Sequence, residues 1–194
     1  MPNVVFNTRP ETRPQIWDHI KEHKTGWGGM LDLTMLDANR NFGILMKGCP
    51  IYLDADTMNA HVVKSAEVLS GGTTSAPYVN KDHLFIVGDF VFVNSSAVTI
   101  TAIDESNEDY DVLTLSAACG GATEGAIIEQ AAKAGASPSK LYAPNCLLGT
   151  NYNIEEDTNI DLVFRIDEWV RRVMFAYPLS DTTVASLAPN IIIK

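Results

Sequence analysis

The sequence predicts a mainly β protein: a small antiparallel β-barrel or sandwich body, preceded by an N-terminal arm with a short helix and carrying one or two further short helices. Three observations predict it. Between Lys81 and Leu115 the chain spells short apolar, β-branched and aromatic runs separated by polar turns, too short and too evenly punctuated for helices. Two further apolar runs, Gly43 to Leu53 and Ala60 to Ser70, flank a polar bend at Asp54 to Asn59, which is the pattern of a hairpin. Near the C-terminus Ile160, Leu162, Phe164 and Ile166 alternate with polar or smaller residues and give one apolar face with a period of two.

Taken in order, Val4-Val5-Phe6 is a short apolar patch, and Arg9-Pro10-Glu11-Thr12-Arg13-Pro14 is too rich in proline for regular structure. Pro14 suits the first turn of a helix that runs to about Lys24, with Ile16, Trp17 and Ile20 on one side and Gly26 as its stop. Gly26, Gly28 and Gly29 around Trp27 read as a flexible connection. The body begins near Phe42, so the chain divides into an arm, residues 1–41, and a β-rich body, residues 42–194. Gly71 to Ser75 reads as a loop into the central meander. There, Leu84 to Val87 lead through the turn pair Gly88-Asp89 into Phe90 to Val93, Val98 to Ile103 form a strand, Asp104 to Asp109 a loop, and Tyr110 to Leu115 the next strand. After Cys119-Gly120-Gly121, the stretch Thr123 to Ala134 suits a short helix closed by Gly135, and Ala136 to Asn145, with two prolines, suits a link. Val173 to Tyr177 reads as a further strand, Ser180 as the cap of one helical turn carrying Val184 and Leu187, and Ile191 to Ile193 as a closing strand.

Composition narrows the class of function. The chain of 194 residues is 46% hydrophobic and 20% charged, ordinary for a folded domain. Its net charge is −10, and all of the excess lies from Asp82 onward, with 16 acidic against 6 basic residues. Such a surface repels phosphates and anionic lipid, which argues against nucleic acid and membrane as partners. Cys49, Cys119 and Cys146 are odd in number and share no short spacing, which suits a reducing compartment such as a cytoplasm. The N-terminus lacks a signal pattern, and no apolar run is long enough to span a bilayer.

Several short patterns imitate chemistry. His19-Ile20-Lys21-Glu22-His23 matches H-x-x-E-H, which on a helix puts two zinc ligands and a carboxylate base on one face. A third ligand and a cleft are also required, so a solvated helix is the simpler reading. Ala117-Ala118-Cys119-Gly120-Gly121 resembles a caspase nucleophile motif with Ala in place of Gln, in a setting that is not α/β. Asp54 to Asn59 begins like a calcium loop but sets Met58 and Ser65 where ligands belong. The acidic group Asp104, Glu105, Glu108, Asp109 and Asp111 reads as a solvated loop, and Gly71-Gly72-Thr73-Thr74 lacks the lysine of a phosphate loop. No metal or cofactor is expected. Trp27 or Tyr78 offers an aromatic ring of the kind that serves as a sugar platform, although core packing is the commoner use of either.

Four separated pieces of the body carry a resemblance. They are the strand lead-in Lys47-Gly48-Cys49-Pro50, the turn Gly88-Asp89, the bend Ile103-Asp104 to Asn107, and Pro178-Leu179-Ser180-Asp181 before the Ile-rich end. In this order, over roughly residues 43 to 193, the chain resembles the capsid decoration and head-fibre proteins of tailed bacteriophages. Cys49 departs from the pattern, where a small or polar residue is expected, and residues 1 to 42 and about 136 to 159 lie outside it. The resemblance implies a structural virion protein, not an enzyme, made in the host cytoplasm and bound non-covalently to the capsid exterior. Its implied partners are the major capsid protein, further copies of itself as a homotrimer, and a head-fibre protein. It also implies that the arm grips the shell, through Val4, Val5, Phe6, Arg9, Arg13, Trp17 and Trp27. The competing expectations are a host-surface or carbohydrate-binding fibre module, and a hydrolase using His19, Glu22 and His23 or Cys119.

Overall fold

The structure is a computed structural model and describes residues 21–24, 28–39, 43–93, 96–154, 159–167 and 175–187. The chain is mainly β, with its strands divided between a closed barrel, a seven-stranded sheet and a two-stranded ribbon. Strands β1 (Lys21–Lys24) and β2 (Gly29–Leu31) come first, then a 3-10 turn at Leu33–Met35, β3 (Ile44–Leu45), β4 (Pro50–Leu53) and β5 (Asn59–Val62). Next follow β6 (Ser65–Thr73), β7 (Ala76–Asn80), β8 (Phe90–Phe92), β9 (Ala97–Asp104), β10 (Tyr110–Leu115) and β11 (Ile127–Ala131). The last elements are β12 (Cys146–Leu148), β13 (Tyr152–Asn153), β14 (Asn159–Ile160), β15 (Leu162–Asp167) and helix α1 (Asp181–Leu187).

The six consecutive strands β6 to β11 make the barrel, in the order β10-β7-β6-β11-β8-β9, with every neighbouring pair antiparallel. Closure leaves the barrel no free edge. Alternation along these strands sends Val68, Val79, Val91, Ile100, Leu113 and Ile128 inward to a core that also takes Phe85. The barrel is inserted into the sheet, whose order is β1-β15-β12-β4-β5-β2-β14 and in which only β2 and β5 run parallel. Strands from both sides of the insertion therefore meet: Cys146 pairs with Ile51, and Leu147 with Pro50. A second core lies against one face of this sheet, with Leu31, Ile51, Leu53, Val62, Leu148, Ile160 and Leu162 packed against Leu84 and Tyr177. Each such buried aliphatic side chain contributes about 1.5–3 kcal/mol.

The central hairpins match their sequence signals. Pro50–Leu53 pairs with Asn59–Val62 across the Asp54 bend, and Ala97–Asp104 pairs with Tyr110–Leu115 across the acidic loop. Ser180 caps α1: its carbonyl accepts from the N–H groups of Thr183 and Val184, each at 2.9 Å, and its Oγ from Thr183 N–H at 3.3 Å. Gly88, at φ 99°, makes the predicted turn, and Asp89 beside it turns into the interior.

Other expectations are corrected. Lys21–Lys24 is not the end of a helix but a strand, because β15 offers a backbone partner from Lys21↔Asp167 to Lys24↔Val163 that outweighs the weak propensity of four polar residues. Thr123 to Ala134 contains β11, since the barrel closes only with a strand between β6 and β8, and the β-branched pair Ile127-Ile128 suits that place better than a helix. Ala60 to Ser70 is two strands in two sheets, broken at Val63-Lys64, and β6 continues through the glycines to Thr73. Gly72 is required there: a Cβ would come within 2.6 Å of the Tyr78 nitrogen. Leu84 to Val87 is irregular, with its buried side chains shared between the two cores, and Phe175 to Tyr177 is likewise not a strand. The sheet also takes in β1 and β2, upstream of the boundary expected near Phe42. Ile191 to Ile193 lies outside the described residues.

Candidate interaction surface

The sheet has one face on the core and one turned outward. Ile51 and Leu53 of β4 pair with Val62 and Ala60 of β5 on the core side, so the intervening cross-strand pair Tyr52 and His61 stands on the outer side. Tyr142, carried by the link between β11 and β12, lies over both. Its ring stacks on His61 at 4.4 Å and 12°, and on Tyr52 at 5.3 Å and 14°. Each contact of this kind is worth about 0.5–1.5 kcal/mol beyond simple burial, which holds the link flat on the sheet. Asn145, at the end of the link, adds a peptide-like pairing: its Oδ1 accepts from Leu53 N–H and its Nδ2 donates to Leu53 O, both at 2.9 Å.

Asp32 extends the row. One carboxylate oxygen accepts from Thr34 N–H at 3.0 Å and from the Thr34 hydroxyl at 2.6 Å, and the other lies 3.1 Å from His61 Nδ1. Burial pushes the Asp32 carboxyl up, but the Thr34 donors and His61 outweigh it and hold it below its usual range. The outer face thus presents Asp32, His61, Tyr142 and Tyr52 as a half-buried, rigid strip, with Met30 exposed beside it on β2. Aromatic rings and methionine on a firm backing are the composition of a macromolecular contact surface.

The link is anchored a second time at the barrel. Lys140 Nζ donates to Glu129 Oε1 at 3.1 Å, Ser180 Oγ at 3.2 Å, Thr182 Oγ1 at 2.9 Å, and also to Thr183 Oγ1. Glu129 Oε1 accepts in addition from the hydroxyls of Ser180, at 2.8 Å, and Thr183. Ser180 and Lys140 are neighbours, and Lys140 is also ion-paired with Glu129 Oε2 at 3.1 Å. Inside, Lys64 is paired with Asp89 at 2.7 Å.

A second buried cluster imitates part of a hydrolase. His83 Nε2 lies 3.3 Å from Asp111 Oδ2, and Lys81 Nζ donates to Asp111 Oδ1 at 3.0 Å. The other ring nitrogen, Nδ1, accepts Phe85 N–H at 3.1 Å, so both nitrogens are engaged. This pair fastens the β7–β8 connection to β10. Asp111 is thereby drawn away from the rest of the acidic loop, where Asp104 and Asn107 instead accept the N–H groups of Ser106 and Asp109.

The remaining sequence candidates fall as follows. Cys119 is fully buried, and burial raises its thiol, which disfavours a nucleophilic thiolate. Glu22 and His23 lie on a strand, so the helical spacing of the zinc pattern is absent there, and His19 lies outside the described residues. Tyr78 is stacked on Tyr110 at 4.2 Å and 10°, with Gly71 close to the edge of its ring. Val4, Val5, Phe6, Arg9, Arg13, Trp17 and Trp27 lie outside the described residues. The Tyr142 strip was beyond sequence reasoning, since the link and the two strands beneath it are about 80 residues apart in a chain without a motif at either place. Cavities beside Leu45 and beside Gln130 each measure about 10 Å³, the room of a single water, against the several hundred Å³ of an organic ligand site. No protein-family model, curated protein or solved structure matches the chain.

Proposed function

We propose that this protein is a structural component of a tailed-bacteriophage virion, bound non-covalently to the capsid exterior and acting by contact rather than by chemistry. The observation that carries this reading is the outer sheet face, where Tyr52, His61 and Tyr142 are stacked into a rigid strip beside exposed Met30. Such a face is suited to a flat protein partner and not to a small substrate. The resemblance supplies the partner. Its four pieces are scattered through the body. Gly48 N–H donates to Leu148 O at 2.8 Å, Asp89 pairs with Lys64, Asp104 turns the β9–β10 loop, and Pro178 O accepts from Ser65 Oγ at 2.5 Å.

On this reading the major capsid protein is the principal partner, a homotrimer is the working form where three capsid subunits meet, and a head-fibre protein is a further partner. The arm, through Val4, Val5, Phe6, Arg9, Arg13, Trp17 and Trp27, adds a second grip. The test is co-sedimentation of the purified protein with capsid shells of the phage that encodes it, followed by reconstruction of the decorated particle. Saturable binding at local threefold positions is expected. Failure to co-sediment would overturn the capsid reading, and single copies away from threefold axes would overturn the trimer. Removing residues 1–20, which stops short of β1, should weaken attachment while leaving the unfolding midpoint of the body unchanged.

A further inference from the structure

Gln130 is 6% exposed and sits on β11, where the barrel meets the link that returns the chain to the sheet. Most of its polar groups are engaged within the protein. Its N–H donates to Lys64 O at 3.2 Å, its carbonyl accepts Leu141 N–H at 3.1 Å, and its Nε2 donates to Asp89 Oδ1 at 2.9 Å. Turning the amide over would aim an oxygen at a carboxylate, so the Asp89 contact fixes which atom is which. The remaining group, Oε1, is buried and meets no donor among the described residues.

A buried acceptor of this kind keeps the cost of its lost hydration unless something donates to it. Gln130 lines a cavity of about 10 Å³, which it shares with Val63, Lys64, Glu129, Lys140 and Tyr142. That is the room of a water and of nothing larger. The lining also selects the chemistry of the ligand. An anion would face Gln130 Oε1, itself an acceptor, and a metal cation would lie beside the ammonium groups of Lys64 and Lys140, which already neutralise Asp89 at 2.7 Å and Glu129 at 3.1 Å. A neutral molecule that both donates and accepts suits all of these groups.

We propose that this cavity is a specific binding site for a single water molecule, which donates to Gln130 Oε1 and completes its shell with the charged side chains of Lys64, Glu129 and Lys140. The site lies at the joint between sheet and barrel: Val63 and Lys64 are where the chain leaves the sheet, and Lys140 and Tyr142 belong to the link by which it returns. The water therefore connects the buried network of Lys64, Asp89 and Gln130 to the Glu129–Lys140 pair. An interior water with such partners is a fixed part of the fold.

The test is a high-resolution crystal structure of the full chain, together with unfolding midpoints of Val63→Ile, Gln130→Met and the double variant. Electron density for a water about 3 Å from Gln130 Oε1 is expected, and its absence overturns the site. The extra methylene of Val63→Ile takes the room of the water. Filling a dry void would raise the midpoint, whereas expelling a water from Gln130 should lower it, by about 2–4 °C. In the Gln130→Met background no acceptor is left to orphan, so the same substitution should cost less there. A midpoint that Val63→Ile raises or leaves unchanged overturns the proposal, and so does an equal loss in both backgrounds, which is what overpacking alone would give.

Discussion

Lys64 Nζ lies 2.7 Å from Asp89 Oδ2, with the lysine side chain wholly buried and the aspartate nearly so. Asp89 is further held by Ile86 N–H at 3.0 Å and by Gln130 Nε2 at 2.9 Å. The lysine sits where the chain leaves the sheet for the barrel, and the aspartate where β8 begins, so the pair ties the inserted barrel to its point of departure. A buried charge left without its partner is costly, so Lys64→Ala or Asp89→Ala should each cost about 3–5 kcal/mol. The double replacement Lys64→Met/Asp89→Leu should recover much of that loss, short of the orphaned Ile86 and Gln130 donors. Urea denaturation of the three variants checks this, and additive losses in the double variant would contradict it.

Asp111 gives the barrel an acid limit. Burial alone would raise its carboxyl, but hydrogen bonds from His83 and Lys81 outweigh burial and bring it below the ordinary value of 3.8. A depressed folded value means that the stabilisation is fully present above about pH 4 and is lost as the pH falls through the lower folded value. Asp32, Asp54 and Asp104 shift in the same direction but are more exposed, so each contributes less. Asp111→Asn should therefore lower stability at neutral pH and flatten its decline below about pH 4. Denaturation midpoints measured across that range test it; an unchanged slope would remove Asp111 as its source.

These two pairs show why some of the molecule was legible in the sequence and some was not. The β9–β10 hairpin and the Ser180 cap are local: alternating Val98, Thr99, Ile100 and Thr101 lead into a polar turn, and a serine of N-cap type precedes an acidic residue, Asp181, in the first helical turn. Lys21–Lys24 and Ile127–Ala131 are strands because of neighbours far along the chain: the first is four polar residues of weak propensity, and in the second Ile127-Ile128 favour a strand while Glu129, Gln130 and Ala131 favour a helix. Lys64 left one trace, a single charge inside Val62-Val63-Lys64-Ser65-Ala66, although nothing local named Asp89 as its partner. Tyr142 left none, because a tyrosine in a proline-containing link acquires meaning only from the rings beneath it.

Ser180 has two tasks, and they can be separated. It caps α1, and its hydroxyl donates to Glu129 Oε1 at 2.8 Å across to β11. Loss of a cap costs about 1 kcal/mol. Ser180→Ala should therefore lower stability by at least that amount, with an added part that vanishes when Glu129 is already Ala. A double-mutant cycle for Ser180 and Glu129, read by chemical denaturation, should give a coupling of about 0.5–3 kcal/mol. Zero coupling would mean that the helix is held by Lys140 and apolar contacts alone.

The three cysteines supply the last prediction, which also bears on a cysteine-based mechanism. Cys49 and Cys146 lie in the sheet core, and burial raises both thiols, that of Cys146 to about 12, with Cys49 raised further by its neighbour Cys146. Cys119 lies under the barrel wall with its Sγ 4.0 Å from Ser96 O, and burial raises its thiol as well. Alkylation requires an exposed thiolate, so at neutral pH the native protein should react with iodoacetamide only as fast as it opens. All three thiols should then become available together in denaturant. Intact-mass measurement over time tests this. Selective labelling of Cys119 alone in the folded protein would contradict the burial argument and restore it as a candidate nucleophile.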